Sequence, residues 1–281
     1  MTVLVSAADL LAGGGRVVLL DVRWALGDGR GRERYMAGHL PGAVFVDLET
    51  ELADPPSVAE GRHPLPSLQR LQACARRWGI RDGDRVVAYD ATGGLAAARA
   101  WWLLRWGGLT DVRLLDGGLD AWVAAGGELE SGNVVPDAGD VTLSGDGMPV
   151  LSIDEAALLP ASGGVLLDAR AGERYRGEVE PIDPRAGHVP GAVSAPTTEN
   201  LGPDGRFRPA AELAERFAAL GAVPETTVGV YCGSGVTAAH EVAALAHAGI
   251  EAALWPGSWS QWSNAPERPA ATGPLPDGCG R

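Results

Sequence analysis

The sequence predicts an α/β fold in two tandem copies, each a mainly parallel sheet flanked by helices. Three observations predict it: an internal duplication, short β-branched runs ending in Asp or Gly, and longer Ala/Leu-rich stretches between those runs.

The duplication shows as four blocks in the same order in both halves. Val17-Val18-Leu19-Leu20-Asp21-Val22-Arg23 matches Gly164-Val165-Leu166-Leu167-Asp168-Ala169-Arg170. Tyr35 and His39-Leu40-Pro41-Gly42-Ala43-Val44 match Tyr175 and His188-Val189-Pro190-Gly191-Ala192-Val193. Arg85–Asp90 matches Thr227–Cys232, and Asp116–Trp122 matches Pro256–Trp262. A period of about 140 residues is that of a domain, not of a solenoid. The expected division is residues 1–130, a linker over 131–148 rich in Gly, Asp, Ser and Pro, and residues 149–281.

Val17–Leu20, Val86–Tyr89 and Val112–Leu115 are unbroken apolar runs, as expected of parallel strands covered on both faces. Ala96–Trp106 and Ala238–Ala248 have the length and composition of helices, with Trp101, Trp102 and Trp106 expected in a core or interface.

Composition narrows the function. With 46% hydrophobic and 21% charged residues the chain reads as a soluble globular protein. No apolar run approaches the ~20 residues that span a bilayer. The N-terminus lacks the basic and apolar regions of a signal peptide, so a cytoplasmic location is expected. A net charge of −13 argues against a nucleic-acid partner. All 23 basic residues are arginine, which excludes lysine-nucleophile chemistry. Cys74, Cys232 and Cys279 form no CxxC pair and no metal-ligand spacing, and their odd number suits reduced thiols. Neither metal nor cofactor is implied. Cys74 reads as a small buried hydrophobe and Cys279 as an exposed bystander in a Pro/Gly-rich tail.

Cys232 differs. The first copy runs from its strand into Asp90-Ala91-Thr92-Gly93-Gly94, the second into Cys232-Gly233-Ser234-Gly235-Val236-Thr237 and then a helix. That places a thiol beyond the carboxyl end of a parallel strand, where ligands collect. Two glycines allow the backbone N–H groups to curl into an anion-binding nest, and the helix start adds its positive end. Such a loop should keep one sulfur ionised and reachable, and would equally hold a persulfide anion. It contains no cation and closes on Thr237 instead of an arginine, which suits a phosphatase poorly. His240, one turn into the helix, is expected to face away and so not to serve as a protease-type base.

The paired His-x-Pro-Gly-Ala blocks, the Cys-x-x-Gly-Val-Thr loop and the Gly-Ser-Trp block at Trp259 resemble the tandem-domain rhodaneses, from about residue 3 to residue 268. The loop is similar to the 3-mercaptopyruvate type, whereas thiosulfate-preferring members carry Arg-Lys at the positions of Gly233 and Ser234. The resemblance implies a catalytically silent first domain, with Asp90 in the cysteine's place. It implies attack of Cys232 on a small-molecule sulfur donor, and transfer of the outer sulfur to cyanide or a thiol such as thioredoxin. Arg174 and Arg185, with Gly233, Gly235, Val236 and Thr237, are implied to bind the donor, Arg174 by a bidentate hold on its carboxylate. Ser234 is implied to serve the departing enolate. His63 and Glu49 are implied as first-domain partners, Glu49 standing where the family has Asp. Trp255 and Gln261 depart from the family's Phe or Tyr and Glu. Asp21, Arg23, His39, Asp168, Arg170 and His188 occur in both copies and so are expected to hold the fold. Two alternatives stay open: a thiosulfate:cyanide sulfurtransferase, and a persulfide carrier or binding module with little turnover.

Overall fold

The computed structural model describes residues 2–278 and, among them, nine strands in two all-parallel sheets. The chain divides into two compact units, each assembled from separate stretches. The first comprises Met1–Asp54, Leu65–Met148 and Gly202–Phe207; the second comprises Pro55–Pro64, Pro149–Leu201 and Arg208–Arg281.

In the first unit, β1 (Leu4–Val5), β2 (Val17–Asp21), β3 (Val44–Phe45), β4 (Arg85–Tyr89) and β5 (Val112–Leu115) lie in the order β1-β5-β4-β2-β3. β2 and β4 pair from Val17↔Arg85 to Asp21↔Tyr89. Helix Ala97–Trp106 packs on this sheet; Trp101 and Trp102 are fully buried, and the Trp101 indole N–H donates to Val112 O at 3.1 Å.

The stretch 131–148, expected as a linker, is part of this unit. Gly139 N donates to Arg76 O (2.8 Å) and Ser144 N to Gly107 O (3.0 Å), while Val141 and Leu143 are buried. These hydrogen bonds and the two buried apolar side chains fasten the segment down. Cys74 is buried in helix Leu68–Arg77, and desolvation pushes its thiol above the usual range despite the Arg77 guanidinium 3.1 Å away. Cys279 lies outside the described residues.

In the second unit, β6 (Val165–Asp168), β7 (Val193–Ser194), β8 (Val228–Tyr231) and β9 (Ala253–Leu254) lie in the order β7-β6-β8-β9. β8 is buried along its whole length, which explains the unbroken run Val-Gly-Val-Tyr.

The residues common to both copies make the same contacts in each unit. Arg23 Nε donates to Asp21 (2.9 Å) and its Nη2 to Gly38 O (2.7 Å); Arg170 does likewise to Asp168 (3.0 Å) and Gly187 O (2.7 Å). His39 stacks on Tyr35 and His188 on Tyr175, with ring centroids 4.0 and 3.7 Å apart. The Tyr35 hydroxyl donates to Ala43 O and the Tyr175 hydroxyl to Ala192 O. Each buried Asp–Arg pair therefore ties a strand end to the chain just before a His-x-Pro-Gly-Ala turn. Among the described residues, no helix is long and apolar enough to cross a membrane.

Candidate active site

β8 ends at Tyr231, and helix Val236–His247 begins four residues past Cys232. Gly235, the residue before that helix, has φ +78°, and a Cβ there would lie 2.5 Å from Pro256 O. Only glycine fits. This turn aims backbone amides at the sulfur: Cys232 Sγ accepts from Gly235 N at 3.1 Å and from Ser234 N at 3.5 Å.

A second loop braces the first. Trp259 N donates to Cys232 O (3.0 Å) and Ser260 N to Gly233 O (2.9 Å). The Ser258 hydroxyl accepts from Cys232 N (3.1 Å) and donates to Trp255 O (2.9 Å). Ser258 is fully buried at φ +54°, a left-handed conformation costing a non-glycine residue about 1–3 kcal/mol. Its two hydrogen bonds hold it there.

The first unit shows what such a nest is for. Asp90, at the cysteine's position, has one carboxylate oxygen 2.8 Å from both Thr92 N and Gly94 N. Its other oxygen is 2.8 Å from Ala96 N and 3.0 Å from Ala97 N. There the anion is built in. In the second unit its place is taken by sulfur. The sulfur is sheltered rather than openly reachable as expected, Cys232 being 2% exposed and Ser234 7%. Tight packing of Gly235 on Pro256 and the bracing loop behind Cys232 account for that burial.

The loop lacks cations in sequence but not in space. A Cβ on Gly233 would lie 3.0 Å from Arg62 Nη2 and 3.4 Å from Arg174 Nη1. Arg174, from helix Gly172–Tyr175, donates through Nη2 to both Glu180 carboxylate oxygens (2.7 and 3.0 Å) and lies 3.4 Å from Asp183. Arg62 pairs through Nη1 with the other Asp183 oxygen. The Nε atoms of both arginines are buried and, among the described residues, have no hydrogen-bond partner. Burial raises the Asp183 carboxyl above the usual carboxylate range against the pull of Arg62.

Arg185 is used elsewhere. Its guanidinium donates to the carbonyls of Trp262 (2.6 Å), Arg268 (2.8 Å), Ala265 (2.8 Å) and Ser263 (2.9 Å). These carbonyls lie at and beyond the end of helix Ser258–Trp262, and two of them, Trp262 O and Ala265 O, also accept from Ala265 N and Arg268 N. The expected donor-binding arginine is thus a clasp on a helix end.

His63 and Ser234 are brought together, His63 Nδ1 lying 2.7 Å from Ser234 Oγ. The expectation that His63 belongs to the first domain is corrected, because Pro55–Pro64 packs within the second unit. Arg62 N donates to Ser260 Oγ (3.1 Å) and Gln261 Nε2 to Ala59 O (2.6 Å). Glu49 lies in the first unit, in helix Leu48–Glu51, accepting from the Trp24 indole at 2.8 Å. Val236 is buried and Thr237 half-buried where the helix opens. His240 turns to Thr197 Oγ1, 2.7 Å away. Among the described residues, no His, Cys, Asp and Glu cluster could hold a metal ion.

Sequence reasoning passed over Arg62, Ser258, Glu180 and Asp183. A signal for the two acids exists. Tyr35 and His39 are four residues apart, but Tyr175 and His188 are thirteen apart, and the extra segment carries both acids.

Comparison with known proteins agrees with this architecture. The model of the Rhodanese-like domain matches residues 5–125 and again 152–265. "Putative thiosulfate sulfurtransferase SseB" of Mycobacterium tuberculosis is 49% identical over 276 residues, covering 96% of this chain and 97% of that protein. "Probable 3-mercaptopyruvate sulfurtransferase" of Pseudomonas aeruginosa is 49% identical over 265 residues, covering 92% and 93%. The crystal structure of SseA from Escherichia coli, described with the rhodanese fold of 3-mercaptopyruvate sulfotransferases, superposes with a TM-score of 0.82 at 32% identity, covering 92% of this chain and all of that one. A domain matched twice, at the repeats seen in sequence and in the two sheets, means that this chain belongs to the rhodanese family.

Proposed function

We propose that the chain is a sulfurtransferase that takes sulfur from 3-mercaptopyruvate as a persulfide on Cys232. The observation that carries this reading is the cradle of amides at a helix start around one sulfur. Amide N–H groups and a helix N-terminus favour a thiolate, the nucleophilic form of cysteine. The Cys232 thiolate attacks the donor's sulfur, forming an S–S bond as the donor's C–S bond breaks. The electron pair leaves with pyruvate as its enolate, which takes up one proton.

Ser234 stands next to the attacking sulfur, its N–H 3.5 Å from Cys232 Sγ, and its hydroxyl is 2.7 Å from His63. That pair is suited to deliver the proton, because a histidine can resupply what the hydroxyl gives. Arg174, beside Gly233, is suited to the donor carboxylate. In the second half-reaction a thiolate or cyanide attacks the outer sulfur and Cys232 leaves as thiolate, giving an acceptor persulfide or thiocyanate. A cytoplasmic thiol of the thioredoxin kind fits as acceptor, since Cys74 and Cys232 are both free thiols. Thiosulfate is the second donor to consider, favoured by the two guanidinium groups at Gly233 and by the name of the Mycobacterium tuberculosis relative.

Intact-mass measurement after incubation with 3-mercaptopyruvate tests the reading. Wild type should gain one sulfur atom on Cys232, cyanide should remove it as thiocyanate, and Cys232→Ser should gain none. An unmodified Cys232, or equal loading of Cys232→Ser, refutes the mechanism. Loading without multiple turnover identifies a carrier instead.

A further inference from the structure

Two relatives of equal identity carry different donor names, one thiosulfate and one 3-mercaptopyruvate. Thiosulfate is a compact dianion, whereas 3-mercaptopyruvate carries one negative charge, on a carboxylate away from its sulfur. The electrostatic balance beside Cys232 therefore discriminates between them.

That balance is set by four side chains. Arg62 and Arg174 reach Gly233, and Glu180 and Asp183 neutralise them. Both acids are nearly fully buried, their side chains 4% and 3% exposed. Arg170 adds no net charge here, because Asp168 pairs with it at 2.6 Å. The acids sit on residues 176–187, a stretch nine residues longer than its counterpart, residues 36–38, in the first copy. This stretch is pinned in several places. Arg185 clasps four carbonyls, Arg170 Nη2 holds Gly187 O at 2.7 Å, and the Glu180 carboxylate accepts from Ile182 N (3.2 Å) and Asp183 N (3.1 Å). The positions of both carboxylates are thus built into the fold.

We propose that Asp183 determines donor choice. Bound to Arg62 and close to Arg174, it withholds their charge from a dianion and so disfavours thiosulfate against 3-mercaptopyruvate. Near a buried loop the interaction between charges is weakly screened, and a dianion feels one additional carboxylate twice as strongly as a monoanion does. Arg62 has the complementary role of supplying, from a distant part of the chain, a cation that the loop itself lacks. This inference rests on Cys232 being the sulfur-accepting group.

The test is the ratio of kcat/KM for thiosulfate to that for 3-mercaptopyruvate in the full-length protein. Asp183→Asn, which keeps the shape and removes the charge, should raise the ratio about tenfold or more. Arg62→Gln should lower it, and the double variant should return it to within about threefold of wild type, because the balance is restored. A ratio unmoved in a folded Asp183→Asn overturns the proposal, as does thiosulfate turnover below detection in that variant. Should Asp183→Asn not fold, Arg62→Gln decides alone. Its side chain is 24% exposed, and an unchanged or higher ratio there overturns the proposal. If wild-type Cys232 takes sulfur from neither donor, the reading of the site and this inference fall together. If it takes sulfur and the ratios do not move, only this inference fails.

Discussion

Asp90 and Cys232 occupy the same turn in two copies of one fold, and each presents an anion or potential anion to inward-pointing amides. Amides converging on one point are costly to leave unpaired when buried. Asp90→Ala should therefore destabilise the protein by about 3 kcal/mol or more, read as a lower denaturant midpoint at unchanged slope. Asp90→Asn should cost less, since one oxygen still accepts. The two arginines expected to bind donor should separate just as clearly. Arg174→Gln should raise KM for 3-mercaptopyruvate by about 10- to 100-fold, the worth of a charge-assisted hydrogen bond to a carboxylate, and should also lower the melting temperature, because the buried Glu180 loses its nearest partner. Arg185→Gln should lower the melting temperature with little change in KM, because four carbonyls each lose a guanidinium donor. Steady-state kinetics beside thermal melts tell the two roles apart.

Helix Val236–His247 serves two purposes. Its first turn faces the sulfur, and its flank carries a buried polar cluster. Asn200 Nδ2 donates to Glu241 at 2.6 Å, Arg216 lies 3.5 Å from the same carboxylate, and His240 meets Thr197. Burial raises the Glu241 carboxyl to about 7, outweighing the opposing pull of Arg216. The folded protein then holds a proton up to about pH 7 that the unfolded chain releases near 4.5. Across that window the folded state binds more protons, so stability falls as pH rises, by on the order of 3 kcal/mol. Melting temperature should be higher at pH 5 than at pH 8 for this contribution, and Glu241→Gln should flatten the slope. A slope identical in the variant would remove Glu241 as its source. The helix itself was legible from its alanine-rich composition, and the structure starts it only two residues before the expected Ala238. The polar cluster was not, because Thr197 and Asn200 arrive from a separate stretch of chain.

Across the whole molecule, each unit incorporates residues from the other half of the sequence. Pro55–Pro64 joins the second unit and Gly202–Phe207 the first. A fragment of residues 149–281 alone would keep Cys232 and its loop but lose Arg62 and His63. It should turn over 3-mercaptopyruvate at least about tenfold more slowly than the full chain, since a proton-transfer partner is worth about that much or more. Full activity in the fragment would show that neither residue is needed. By itself the sequence determined the duplication, the parallel α/β class and the positions of the main strands and helices, and it singled out Cys232 as the candidate nucleophile. These features are written in local runs, turns and spacings, which need no knowledge of distant neighbours. Only the tertiary structure decided that His63 meets Ser234 across 171 residues, that Arg62 meets Asp183 across 121, and that Arg185 closes a helix 77 or more residues away. Side chains that pair across such separations follow no periodicity, and their partners are chosen only when folding brings the stretches together.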